Sequence, residues 1–347
     1  MVSSPEVTFP STPALCACLS LTLLMVALDL DSPYNYVPTE WICALFVTLF
    51  GLSCRKYYMH YRFPYKLAEG VGVVSVIHLT QALYYRLWWL IPTACLATVA
   101  ELIGWSARLW SSKNPPLVTP YLMQITTTII APTPLIAANF IILGRLINGL
   151  GSCYSRLSSK WYLIVFTSCD LIALVVQAVG GAQASVAAND KKDPTQGGNV
   201  MLGGIAFQLV AVVMYMVLAS EFVLRFLYNR PLREAPRGKN NVPHSWDALD
   251  WRIQLAFISL AFSGVCLLIR SIYRTIELAD GWFGTIISTQ IYFNVLDGAM
   301  IVLATYTMNI FHPGILLRGL NASSGDSDIS LHAHQGDRGN RDNNGLV

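Results

Sequence analysis

The sequence predicts an all-α membrane protein, a bundle of seven transmembrane helices with the amino terminus outside and the carboxyl terminus cytoplasmic. Three observations carry that prediction. Hydrophobic residues make up 54% of the 347 and charged residues 12%, against roughly 45–50% and 25% in soluble domains, so polar surface is too scarce for a water-bathed body. The apolar residues come in continuous runs of about 20, the length of a bilayer-crossing helix, and not in the short alternating segments of a membrane barrel. Lysine and arginine are also unevenly shared among the loops, which sets orientation.

Taken in order, the first apolar stretch is Ala14 to Leu28, free of charge and followed by Asp29 and Asp31, with no basic residue before it. It reads either as a signal-peptide core lacking its basic flank or as a short eighth helix at the interface; residues 1–35 then form the extracellular amino terminus. Trp41 to Ser53 and Val71 to Leu83 are each about 13 residues, too short to cross alone. Between them Cys54 to Gly70 holds Arg55, Lys56, Arg62 and Lys66 among five tyrosines and phenylalanines. The reading adopted is one span split into halves by a basic, aromatic insertion at about 52–74 that rests at the interface; the alternative tilts the first half across alone. Six clear spans follow at Trp88 to Ala107, Tyr121 to Leu143, Trp161 to Ala184, Gly203 to Val223, Trp251 to Ile269 and Gln290 to Phe311. The membrane domain thus covers 36–314. The tail at 315–347 turns polar after Gly319, with almost nothing apolar to offset the entropy of ordering, and is expected to be disordered.

The connection at 225–252 carries Arg225, Arg230, Arg233, Arg237, Lys239 and Arg252, and the loop after the second clear span carries Arg145, Arg156 and Lys160. Both are expected in the cytoplasm. A glycan on Asn321, which heads an Asn-Ala-Ser acceptor, would overturn that topology.

Ionisable groups deep in such spans are costly and by default mark a functional interior. Glu101, Arg108, Asp170, Glu221, Arg270, Arg274, Glu277 and Asp297 all lie inside or at the edge of apolar segments. Glu101 and Arg108 are seven apart, on one helix face but beyond bridging range, so each is expected to seek a partner on another helix. Arg270, Tyr273, Arg274 and Glu277 form a single stripe; Arg274 and Glu277 are spaced to bridge, which leaves Arg270 to find Asp297 or Glu101. A purely structural ion network explains the stripe equally well. Asp170, Gln177 and Gly181 share a face beside the Gly180-Gly181 pair, a close-packing signal. Gln124 and Asn139 flank Pro132 and Pro134, and a proline frees the carbonyl one turn earlier, so this span is expected to kink and offer bare oxygens to a cavity.

Catalysis has no support: no phosphate loop, HExxH or GxSxG occurs, and the six histidines are scattered. The eight cysteines lack metal-ligand spacing and read as free thiols packed as small hydrophobes. No cofactor or metal is implied. With a net charge of +3 and basic residues confined to loops, nucleic acid is not an implied partner.

The stretches ELIGWSARLW at 101–110, QITTTIIAPTPLIAANFIILGRLI at 124–147, CDLIALVVQAVGG at 169–181, GGIAFQL at 203–209, RSIYRTIELADG at 270–281, YFNVLDGAM at 292–300 and HPG at 312–314 together resemble the fungal lipid-translocating exporter family, the RTA-like proteins of aminocholesterol resistance. The resemblance runs from Tyr36 to Gly314. It implies seven spans in an integral protein of the plasma membrane and movement of, or tolerance to, cationic amphipathic lipids such as sphingoid long-chain bases. Sterol analogues and, in some relatives, porphyrins are further implied substrates. Gln290 departs from the glutamate usual at that position, and the segment at about 52–74 interrupts what is normally one helix, as a lineage-specific insertion or an unspliced intron would. The rival reading is a heptahelical sensor or regulator of lipid and toxin stress, whose charges lock two conformations and whose loop at 225–252 docks a cytoplasmic partner.

Overall fold

The computed structural model describes residues 34, 36–50, 73–190, 192–233, 246, 249–281 and 284–317. The apolar stretch at 14–28, the proposed insertion up to residue 72, the loop at 234–245 and the tail beyond 317 lie outside the described residues, together with the readings made of them.

Every described element is helical. Helices α1 (Glu40–Phe50) and α2 (Val73–Tyr84) are the two short apolar pieces. A wide turn at Ile91–Cys95, where Pro92 interrupts the regular ladder, leads into α3 (Leu96–Lys113). Then come α4 (Val118–Ile130), α5 (Pro132–Leu150), α6 (Ser159–Asn189), α7 (Thr195–Leu227) and α8 (Trp251–Ala279). The last run passes through a second wide turn at Phe293–Ala299 into α9 (Met300–Ile310) and the short α10 (Pro313–Leu316). Six of these runs are long and apolar enough to cross a bilayer: Trp88–Lys113, Thr119–Leu150, Ser159–Ala184, Thr195–Leu227, Trp251–Ala279 and Gln290–Leu316. They are the six clear spans read from the sequence, with longer ends. Apolar windows locate hydrocarbon, whereas the hydrogen-bond ladder continues through polar residues such as Thr195 and Gln196 into the interface.

The span built from α4 and α5 is the central one, 72% buried, while the α6 and α7 spans are 28% and 33% buried and turn Leu171, Ile172, Val175, Val210, Met214 and Val217 outward. An apolar, outward-facing surface of that kind suits acyl chains. Glycine sets how α6 and α7 meet: a Cβ on Gly180 would fall 2.8 Å from the Gly197 carbonyl oxygen and 2.9 Å from the Met201 Cα, so the two backbones lie in contact. On the other side of the bundle, α1 packs on α3 and also touches α2. Phe46 of α1 stacks on Trp105 of α3 with centroids 3.9 Å apart. Gly298 of the second wide turn seats against both rings, where a Cβ would stand 2.5 Å from Trp105 and 2.8 Å from Phe46.

Candidate functional site

The charged residues singled out above meet in the interior, where α3, α4, α8 and the second wide turn converge. Asp297 sits in that turn and is fully buried. A π-type turn adds a residue to the helical ring and re-aims its side chains, a feature common at functional sites. Asp297 Oδ1 accepts from Arg274 Nε at 2.6 Å and lies 3.1 Å from Arg270 Nε, while its Oδ2 accepts from Arg270 Nη2 at 3.4 Å. Arg274 also donates from Nη1 to Glu277 at 3.0 Å, the bridge expected from their spacing, and Glu277 Oε1 accepts from the Tyr273 hydroxyl at 2.8 Å. Arg270 reaches Glu101 as well, with 3.8 Å between Nη2 and Oε1. Both acids that the sequence offered to Arg270 are therefore its neighbours.

The proline in the central span supplies the fourth side of this cluster. Pro132 has no N–H, so the carbonyl of Thr128, four residues earlier, loses its helical donor. Arg270 Nη2 donates to that oxygen at 2.6 Å, and Arg274 Nη2 donates to the Thr128 hydroxyl at 3.3 Å. Gly104 brings α4 close enough to α3 for this, since a Cβ there would stand 2.7 Å from Thr127 Oγ1 and 2.8 Å from Thr128 Cγ2.

Three buried carboxylates, Glu101, Glu277 and Asp297, thus share two guanidiniums. The division is unequal. Glu101 is 0% exposed, and among the described residues neither of its oxygens has a close hydrogen-bond partner, the Trp105 indole being its polar neighbour; its only ion-pair contact among them is the long one to Arg270.

Arg108 lies next to this network. It is 1% exposed, so it does not snorkel to an interface. Its Nη2 donates to Tyr36 Oη at 2.5 Å and its Nη1 to Gln124 Oε1 at 3.4 Å. Its guanidinium carbon stands 4.3 Å from the Phe293 centroid and 5.0 Å from that of Tyr34, within the range of cation–π attraction. Burial pushes the Tyr34 phenol up to about 12, against the opposing pull of Arg108, so that phenol is neutral near pH 7. A cavity of about 50 Å³ opens here, lined by Arg108, Gln124, Tyr34, Tyr36, Arg274 and Glu277 among others.

Asp170 and Gln177 stand apart from this chamber, a departure from the single shared polar interior that the sequence suggested. Asp170 is buried at 1% exposure, and Gln177 Nε2 donates to Gln208 Oε1 across the α6–α7 contact at 3.2 Å. The two helices bury their polar stripe against each other, which shelters Asp170 from lipid without bringing it to Glu101. Asn139 likewise bonds elsewhere, donating to Ser263 Oγ at 3.0 Å. Glu221 pairs with Arg156 and Arg225 at 2.6 and 2.7 Å in a half-exposed position. Gln290 accepts from the Thr39 hydroxyl at 2.9 Å, tying the start of α1 to the last span. Sequence reasoning missed Thr128, Phe293, Tyr34 and Tyr36. Only Thr128 had a local signal, its place four residues before Pro132.

The sequence profile of the family described as RTA1 like protein matches residues 94–320, which include every member of this charge network. The chain belongs to the RTA1-like family. Among its relatives are three proteins of Saccharomyces cerevisiae. One, named Sphingoid long-chain base transporter RSB1, is 29% identical over 272 residues, covering 73% of this chain and 71% of that one. Protein RTM1 is 28% identical over 59% of this chain and 62% of its own length, and Protein RTA1 is 24% identical over 76% and 80%. No solved structure matches the chain. An integral, multi-pass helical membrane protein of transporter-like kinship is the description that the six spans and these relatives support together.

Proposed function

We propose that this RTA1-like protein moves cationic amphipathic lipids, sphingoid long-chain bases among them, between membrane leaflets, with Glu101 receiving the headgroup ammonium. The observation that carries the reading is the imbalance of the buried cluster. Three carboxylates share two guanidiniums, and Glu101, whose long contact to Arg270 is its one ion pair among the described residues, is the least satisfied of them. A buried carboxyl without a close partner is expensive to ionise, and an incoming ammonium would stabilise its charged form. The acyl tail would stay in lipid against the outward apolar faces. Kinship with a protein named as a sphingoid base transporter supports the same substrate class.

The accompanying topology is seven spans, with α1 and α2 acting as two halves of the first, the amino terminus outside, and residence in the plasma membrane. No ATP is hydrolysed on this chain in the proposed cycle; the lipid runs down its gradient or is coupled to another. The test uses Glu101→Gln and Asp297→Asn at matched expression. Both are expected to abolish cellular tolerance of added phytosphingosine and the flipping of a labelled long-chain base by the protein in liposomes. Wild-type tolerance and flipping in both variants would sink the reading.

A further inference from the structure

Arg108 is a buried guanidinium with no acidic partner among the described residues. Among the described residues its five N–H donors meet only neutral partners, Tyr36 and Gln124 by hydrogen bonds and the Cys43 thiol beside them, and its Nε has none. Among the described residues no carboxylate comes within 4.0 Å of it, whereas Arg270 and Arg274 each hold two. The surrounding aromatic faces of Phe293, Tyr34, Tyr36 and Trp105 stabilise the cation. Arg108 lines the cavity described above. Its volume of about 50 Å³ equals roughly three to five water-sized spheres, room for a tetrahedral anion and too little for a tail.

We propose that this cavity is an anion seat, in which Arg108 with Gln124 and Tyr36 grips the phosphate of an amphiphile headgroup. The seat is distinct from the ammonium position at Glu101: the residues, the sign of the ligand charge and the site of desolvation all differ. A guanidinium in a dry box forms short, charge-assisted hydrogen bonds to phosphate, about twice as strong as neutral ones. No described carboxylate acts as its counter-ion: the side chain that faces Arg108 is the amide Gln124, where the isosteric glutamate would have closed the pair. Binding at this place would give the protein a second recognition element, able to hold zwitterionic headgroups or to separate phosphorylated amphiphiles from plain bases.

The test is equilibrium binding to the full-length protein in neutral detergent, with dodecyl phosphate, inorganic phosphate and dodecylamine as probes. Dodecyl phosphate is expected to bind saturably, and both Arg108→Gln and Gln124→Glu to weaken it by at least about tenfold, as the loss of a hydrogen bond to a charged group implies. Gln124→Glu keeps the experiment decisive if Arg108→Gln fails to fold, because it places a carboxylate against the arginine and leaves the buried charge compensated. Binding of dodecyl phosphate alone assigns the seat to a lipid headgroup; equal binding of inorganic phosphate keeps the anion seat and assigns it to the free ion. No phosphate binding by the wild type, or unchanged affinity in Gln124→Glu, overturns the proposal. Glu101→Gln is expected to leave dodecyl phosphate affinity as it is, so failure of the ammonium reading and failure of the anion seat give different results.

Discussion

Arg270 shows how one residue can collect the consequences of several local rules. It takes the carbonyl of Thr128, freed because Pro132 cannot donate, and the carboxylate of Asp297, re-aimed by a π-type turn. Pro132→Ala restores a donor to the Thr128 carbonyl and competes with Arg270 for it. The expected outcome is a thermal unfolding midpoint near that of the wild type, since Pro132 opens α5, where a proline is tolerated, but reduced long-chain base flipping. Lower thermal stability with unchanged flipping would make the freed oxygen a structural ligand only. Glu221 is the contrasting case. Its two arginine partners are partly exposed, and solvent-screened pairs contribute about 0–1 kcal/mol, so Glu221→Gln is expected to shift the unfolding midpoint little and to leave flipping intact.

At the scale of elements, glycines decide which helices come into backbone contact. Gly180 and Gly197 lie where α6 and α7 cross, and neither has room for a Cβ. Gly180→Ala is expected to cost about 1–3 kcal/mol, the range for overpacking a tight contact, read as a lower unfolding midpoint in detergent. The Asp170–Gln177 stripe buried in the same contact would open with it, so the loss is expected to exceed that of an alanine placed at Gly203, where a Cβ meets nothing within 4 Å. Equal effects at the two positions would contradict the close crossing. Gly104 works in the same way for function, bringing Thr128 of α4 to the α3 face that carries Glu101.

For the whole molecule, the layout puts the small cavity toward the end of the bundle where α3 finishes and α4 begins, with the buried charge cluster at Glu101 and Thr128 deeper in the span, and the α6–α7 pair presenting apolar surface outward. The proposed orientation makes that end extracellular. A tag at the carboxyl terminus is therefore expected to be reached by antibody only after the cells are permeabilised. Labelling of intact cells would invert the topology and place the cavity on the cytoplasmic side.

Composition and run length alone determined the helical membrane class and six of the spans, because a 20-residue apolar stretch has few other ways to satisfy its backbone in lipid. Local spacing determined the Arg274–Glu277 bridge, since residues three apart on a helix are neighbours whatever surrounds them. Tertiary structure decided the rest. Glu101, Asp297 and Arg270 lie on three different helical runs, and no periodicity within one run states which face meets which. The same limit explains why Asp170, equally acidic and equally deep by sequence, is buried against α7 and not in the chamber, and why Arg108 meets the amide of Gln124 and no described acid: contact between helices is set by the packing of the whole bundle.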